Sequence, residues 1–311
     1  MKKLLQWYTR YFMIWVVVMG ALAYLVPTPF CVLRPGMNWF FALTMFGIGA
    51  ALNPEDFTRI LRSPWPVAVG AAAQFILMPV GAYLVGNLLG LPDVLVVGLV
   101  LTGAAPGAMA SNVMSYIAKA DAAYSVSLTT VSTLLCPLLT PGLTLLLAGA
   151  RMDVSFYDMF ASVARTVVAP LLLGLFVKYR YGERIKGILP VFPAISATFI
   201  VFICSMVIAL NRAHLAAVTG IVFAACLLLN LYGMAAGYGV GALFRMNIRR
   251  RRTLSIEIGM QNAGLGVVLA LEHLDQRAAI PAALFVFICI LTASLASAWW
   301  QRRPGDTATA I

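Results

Sequence analysis

Leu254-Ser-Ile-Glu-Ile-Gly-Met-Gln-Asn-Ala-Gly-Leu265 is apolar enough to lie inside a bilayer, yet it carries a carboxylate at Glu257. The chain has eleven acidic residues. Ten of them (Glu55, Asp56, Asp93, Asp121, Asp153, Asp158, Glu183, Glu272, Asp275 and Asp306) fall in polar turns, at the edges of apolar runs or near the C-terminal end. Only Glu257 sits well inside a segment that must cross a membrane. Placing a carboxylate there costs roughly 2.5–3.5 kcal/mol on insertion scales, so such a residue marks a functional site unless shown otherwise.

The surrounding chain is that of an integral membrane protein. Hydrophobic residues make up 62% of its 311 residues and charged residues 11%, against about 25% charged in soluble domains. A crossing needs about 20 residues, which leaves no room for a soluble domain beside ten crossings. The apolar runs predict spans over 11–26, 37–52, 65–89, 94–118, 123–148, 159–178, 190–210, 215–243, 254–272 and 278–300. The 1–26 segment resembles a signal peptide in its Lys2, Lys3 and apolar stretch, but it lacks a small-x-small site before Pro27 and is read as the first span. Asn53-Pro54-Glu55-Asp56 reads as a helix start, with a short interfacial helix running to about Arg62.

Lys and Arg number seventeen on the side holding the N-terminus and four on the other, with Arg165 inside the sixth span. This asymmetry puts both termini in the cytoplasm of a cell inner membrane. It also accounts for the net charge of +11 without a nucleic-acid partner. Arg165 reads as a snorkelling or packing cation, and His214 and His273 as solvated residues at loop edges. Cys31, Cys136, Cys204, Cys226 and Cys289 have no metal-ligand spacing and predict neither a disulfide nor a metal cluster. No nucleophile–base pair suggests an enzyme, and nothing marks an obligate protein partner.

The two halves, 1–150 and 151–311, echo each other within one transmembrane domain. Ala51-Leu52-Asn53 pairs with Ala209-Leu210-Asn211, Ser111-Asn112 with Gln261-Asn262, and Ala122-Ala123 with Ala278-Ala279. The offsets are 158, 150 and 156 residues. A repeat of five spans is odd, so the halves insert in opposite directions, a ground plan of secondary transporters. In corresponding places, Gly103-Ala-Ala-Pro-Gly-Ala-Met-Ala-Ser-Asn112 and Gly259-Met-Gln-Asn-Ala-Gly-Leu-Gly266 interrupt the fourth and ninth spans. Pro removes a helix donor and Gly weakens a helix. Non-helical backbone at that depth survives only where it lines a cavity or is buried in protein. The alternative is that the glycines serve close helix packing.

The polar residues inside the spans are hard oxygen donors. Gln261 lies one turn from Glu257. Ser125, Thr129 and Thr133 form a hydroxyl stripe at i, i+4 and i+8. Ser111 and Asn112 sit at the fourth-span break, and Gln74 lies in the third span. Oxygen ligands without imidazole or thiolate suit an alkali or alkaline-earth cation. One carboxylate neutralises one Na⁺, and an anionic substrate could neutralise a second. Against this stand back-bonding of Ser and Thr to their own helix, a helix–helix hydrogen bond by Gln74, and a protonated or proton-carrying Glu257. A proton-coupled carrier and an uncoupled channel or sensor stay open on these residues alone.

Three stretches resemble the bile acid:sodium symporter family, and the likeness runs over essentially the whole chain. They are Ala105-Pro-Gly-Ala-Met-Ala-Ser-Asn-Val-Met-Ser-Tyr116, Ser125-Val-Ser-Leu-Thr-Thr-Val-Ser-Thr133 with Pro137-Leu-Leu-Thr-Pro141, and Glu257-Ile-Gly-Met-Gln-Asn-Ala-Gly-Leu265. The resemblance implies an all-α polytopic fold of ten helices in two inverted five-helix repeats. Helices four and nine are broken and cross, and the chain divides into a panel (spans 1, 2, 6 and 7) and a core (3–5 and 8–10). It implies a symporter with two Na⁺ sites. Ser111, Asn112, Ser125, Thr129 and Glu257 would form one; Gln74, Glu257, Ile258, Met260 and Gln261 would form the other. Asn262, Ala108 and Met109 would face an organic anion, bile-acid-like or a small carboxylate such as pantoate. Related bacterial members carry a small hydroxyl residue where Met109 stands, so this chain lacks that donor to an anion.

Overall fold

A computed structural model describes residues 8, 11–52, 58, 60–185 and 187–302. The chain is an all-helical polytopic membrane protein. Its helices are α1 (Phe12–Leu25), α2 (Thr28–Val32), α3 (Met37–Ala51), α4 (Pro64–Leu88), α5 (Asp93–Gly103), α6 (Ala110–Ile117), α7 (Ala122–Ala148), α8 (Phe156–Val163), α9 (Ala169–Ile185), α10 (Phe192–Leu243), α11 (Ile248–Gly259), α12 (Ala263–His273) and α13 (Ala279–Gln301). A π-helical turn, Ala164–Val168, joins α8 to α9.

By length and composition, six helices among the described residues can each cross a membrane: Pro64–Leu88, Ala122–Ala148, Phe156–Gly182, Phe192–Leu215, Thr219–Leu243 and Gln276–Gln301. The ten expected spans thus become six full-length helices and shorter pieces at the other four. α3 has 15 residues, about 22 Å at 1.5 Å per residue, short of a hydrocarbon core of about 30 Å. The expected fourth span is two helices, α5 and α6, and the expected ninth is α11 and α12. The helix start read at Asn53-Pro54-Glu55-Asp56 lies outside the described residues.

The expected turn between spans seven and eight does not interrupt the helical backbone, which runs from Phe192 to Leu243. The chain nevertheless reverses there. The Cys204 thiol points at the Ala283 carbonyl (3.9 Å) and the Cys226 thiol at the Pro281 carbonyl (3.3 Å), within one turn of α13. A straight helix would hold those two cysteines about 33 Å apart, so α10 folds into two legs. Asn211, beside the reversal, donates Nδ2 to the Gln276 carbonyl at 3.2 Å, and Gln276 donates back to the Leu210 carbonyl at 3.2 Å.

Close backbone approach fixes the packing around these legs. A Cβ on Gly49 would strike the Leu171 carbonyl, and one on Gly174 the Phe46 carbonyl, so α3 and α9 lie nearly backbone to backbone. Small residues permit this contact where lipid offers no hydrophobic drive between helices. His214 is exposed, as expected. His273 is not a solvated edge residue: its side chain is 13% exposed and lies 3.6 Å from Glu272, which accepts from Ser162 Oγ at 2.7 Å. Burial of the α12 end against α8 overrides its place at the end of an apolar run.

Candidate cation and anion site

The two breaks meet. Gly107 and Gln261 pair antiparallel. The Ala108 N–H donates to the Met260 carbonyl at 3.0 Å, and the Asn262 N–H donates to the Pro106 carbonyl at 2.8 Å. Each break therefore satisfies backbone groups that the other exposes, as mid-membrane backbone requires. α5 and α11 end here, and α6 and α12 begin here, so two helix C-termini and two N-termini converge on one region.

Glu257, in the last turn of α11, is buried with a cage of hydroxyls around its carboxylate. Ser111 Oγ (2.5 Å) and Ser125 Oγ (2.8 Å) donate to Oε2, and Thr129 Oγ1 (2.5 Å) donates to Oε1. Ser111 comes from α6, where the break turns it inward. Ser125 and Thr129 come from one face of α7, four residues apart. Asn112 Oδ1 joins through Thr129 at 3.2 Å, and Ser111 and Ser125 lie 3.4 Å apart. Gly107 is held against the carboxylate, and a Cβ there would overlap Oε1.

This cage has more acceptors than protons. With the Thr129 back-bond to the Ser125 carbonyl (2.9 Å), six oxygen–oxygen contacts of 3.4 Å or less share three hydroxyl protons. Buried oxygens in excess of donors are costly. Hard oxygens around a single negative charge are the donor chemistry of a small cation.

A chain of amides lies beside the cage. Gln74 Nε2 donates to Gln261 Oε1 (2.6 Å) and reaches the Ala105 carbonyl (3.4 Å), while Gln261 Nε2 donates to the Ile258 carbonyl (3.1 Å). Each amide nitrogen must face a carbonyl, which fixes both orientations. Gln74 Oε1 is left buried with no donor among the described residues. Both oxygens of Glu257 are turned to the hydroxyl cage, and the Met260 carbonyl is occupied by Ala108.

The sodium bile acid symporter family matches residues 39–218 of this chain. The chain belongs to that family. Its similarity to relatives extends well past the matched region. It is 35% identical over 292 residues to an uncharacterized sodium-dependent transporter of Bacillus subtilis (strain 168), YocS, covering 94% of this chain and 91% of that protein. It is 34% identical over 299 residues to a probable chloroplastic sodium/metabolite cotransporter, BASS1, of Arabidopsis thaliana, covering 94% of this chain and 74% of that one. The rice protein of the same name is 33% identical over 296 residues. The family is one of transporters, not of enzymes.

Within this family member, the structure brings Ser111, Asn112, Ser125, Thr129 and Glu257 together, and Gln74 with Gln261 and the Ile258 carbonyl. Thr133 separates from its stripe: its hydroxyl donates to the Thr129 carbonyl at 2.7 Å, the back-bonding alternative. Ala108, Met109 and Asn262 are partly exposed at the meeting of the breaks. Asn262 Oδ1 accepts from Leu265 N (3.3 Å) and caps α12, which leaves its Nδ2 without an acceptor among the described residues. Met109 Sδ accepts from Asn112 Nδ2 at 3.7 Å.

Two supporting residues escaped the sequence reading. Ser132 Oγ accepts from Gly107 N at 3.3 Å and so anchors the glycine that faces Glu257. It sits in the 125–133 stretch but off the i, i+4 face that drew attention. Asn230 Nδ2 donates to the Gly259 carbonyl at 2.8 Å. The signal was present, a lone amide in the eighth apolar run, much like Gln74 in the third.

Proposed function

We propose that this protein is a sodium-coupled symporter that imports a small organic anion by alternating access. The observation carrying this reading is the Glu257 cage: one carboxylate and three hydroxyls from three helices, with oxygens outnumbering protons. Ser111, Asn112, Ser125, Thr129 and Glu257 hold one Na⁺. Gln74, Gln261 and the carbonyls of Ile258 and Met260, with Glu257 alongside, hold a second, and Gln74 Oε1, which has no donor among the described residues, fits that assignment. The bacterial relative, a sodium-dependent transporter, and the plant relative, a probable sodium/metabolite cotransporter, agree with sodium coupling.

The anion sits where Ala108, Met109 and Asn262 are partly exposed. The N-termini of α6 and α12 start there and favour negative charge, and Asn262 Nδ2 offers a donor. A small carboxylate of the pantoate type suits this arrangement, because its single charge balances the second Na⁺. In the full architecture the chain forms ten crossings as two inverted repeats, 1–150 and 151–311. Both termini are cytoplasmic, and the panel rocks against a core that holds the site.

The test is a thermal-shift screen of small carboxylates and bile salts on purified protein, with and without Na⁺. Stabilisation by one class of anion only when Na⁺ is present supports the reading. Uptake that persists without Na⁺ and follows pH assigns Glu257 to proton coupling instead. Anion currents without uphill accumulation indicate a channel.

A further inference from the structure

The second leg of α10 lies along α11 through a stripe of glycines. Built Cβ atoms on Gly233, Gly237 and Gly241 would meet the Ile258 carbonyl (3.1 Å), the backbone of Leu254 and Arg251 Cα (3.0 Å). Ser255 Oγ adds a bond to the Met234 carbonyl at 2.8 Å. The register of the two helices is thereby fixed. At the end of the stripe, on the same face, stands Asn230, a completely buried amide in an otherwise apolar leg.

Asn230 Nδ2 donates to Gly259 O, the last carbonyl of α11. A helix end leaves its final carbonyls without intrahelical partners. In α11 the Glu257 carbonyl accepts from Met260 N (3.3 Å), the Ile258 carbonyl from Gln261 Nε2, and the Gly259 carbonyl from Asn230. The end of the helix bearing Glu257 is therefore held by two separate amide contacts, Asn230 on the Gly259 carbonyl and the Gln74–Gln261 pair on the Ile258 carbonyl. Because Nδ2 must face the carbonyl, Asn230 Oδ1 faces away, and it has no donor among the described residues. Gln74 Oε1, in the pair that holds the adjacent Ile258 carbonyl, is in the same condition.

We infer that Asn230 is a positioning residue of the second sodium site. It pins the Gly259 carbonyl and so fixes the turn at 259–261 that presents Gln261 and the carbonyls of Ile258 and Met260. This inference rests on the sodium reading proposed above. Residues that orient metal ligands typically change affinity 10- to 100-fold when removed, on order-of-magnitude grounds.

The experiment titrates NaCl alone into purified full-length protein, follows thermal stability, and repeats the titration in uptake assays. Asn230→Leu raises the half-saturating Na⁺ concentration about tenfold or more and lowers the Hill coefficient toward one. At saturating Na⁺ the half-saturating substrate concentration is unchanged. Leu229→Ala, a fully buried neighbour on the same leg, is the packing control: it lowers the melting temperature and leaves the Na⁺ curve in place. If Asn230→Leu does not accumulate in the membrane, Asn230→Ala, which removes the amide without adding bulk, carries the same expectation. A sodium curve that Asn230 variants leave unmoved, or that Leu229→Ala moves equally, overturns the inference while the sodium reading stands. A wild-type protein with no Na⁺-dependent stabilisation overturns the sodium reading itself.

Discussion

Thr129 and Thr133 are the same residue type, one turn apart on the same helix, and both are buried. Only Thr129 reaches the Glu257 carboxylate, at 2.5 Å; Thr133 donates to its own helix at 2.7 Å. Replacing either with Val keeps the volume and removes one hydroxyl. In Thr129→Val a bound cation loses an oxygen ligand, while the free protein loses a contact to the carboxylate. The two losses offset in part. The cation loses more, because the Thr129 proton can stay with the Ser125 carbonyl at 2.9 Å while its oxygen faces the ion. We therefore take the low end of the range for bonds to charged groups, about 1.5 kcal/mol, which is about tenfold in Na⁺ affinity. Thr133→Val removes only a back-bond that slightly opposes regular helix geometry, and its Na⁺ affinity stays within about twofold of wild type on that basis. The assay is uptake of a radiolabelled carboxylate into vesicles across a range of Na⁺ concentrations at fixed ionic strength. Equal shifts in the two variants, or none in Thr129→Val, would refute the assignment of the stripe.

Other expectations follow from the same geometry. Glu257→Gln abolishes Na⁺-driven uptake while the protein still inserts, as judged by membrane yield and a monodisperse elution profile; sodium-dependent uptake at the wild-type level in this variant sinks the mechanism. Gly107→Ala places a methyl group over Glu257 Oε1 and eliminates Na⁺-dependent stabilisation, whereas Gly220→Ala, which meets open space, leaves it intact in the same melt. Gln74→Leu removes the donor that Gln261 Oε1 and the Ala105 carbonyl accept from, and a buried acceptor left without its partner costs about 1–3 kcal/mol; the melting temperature without Na⁺ falls, and the increment on adding Na⁺ shrinks. The Arg277 side chain hydrogen-bonds Asp275 and holds its carboxyl below the usual range. That stabilisation is present above the ordinary carboxylate range and fades as pH falls through the lowered value. Asp275→Asn thus narrows the difference in melting temperature between neutral and acid conditions.

The breaks were legible in the sequence because Pro106 and the paired glycines stand where no regular helix tolerates them, and because the two interruptions recur at matching offsets. The Glu257 cage was legible because hydroxyls at i and i+4 on α7 have to share a face. Periodicity does not say how far along that face the carboxylate extends, so Thr133 read as an equal of Thr129. The chain reversal beyond Asn211 showed in the apolar pattern through Arg212 and His214, and the two legs it separates return to the same stretch of α13. His273 looked solvated because its burial depends on α8, more than a hundred residues earlier. Asn230 stood out as a lone amide in an apolar run, but its partner is a carbonyl, and main-chain groups leave no mark in a sequence to say what it holds.

Backbone accounting at the breaks separates scaffold from site. Thr140 Oγ1 takes the Ala104 carbonyl (2.7 Å), Gln74 Nε2 the Ala105 carbonyl, Ser132 the Gly107 N–H, and Asn230 the Gly259 carbonyl. These side chains first repair the helices that the breaks damage, as a membrane interior demands. A hydroxyl has one proton, and once that proton is committed to a carbonyl its oxygen retains only acceptor capacity. An amide is different. After its nitrogen has repaired the backbone, its carbonyl oxygen remains, turned the other way and in need of a positive partner. That is the state of Gln74 Oε1 and Asn230 Oδ1. The amides that mend the break thus leave buried oxygens on both sides of the turn that follows Glu257 in the chain. On the sodium reading proposed above, a cation bound there would satisfy the acceptors that mending created, and stability of the broken helices and affinity for the ion would depend on the same side chains.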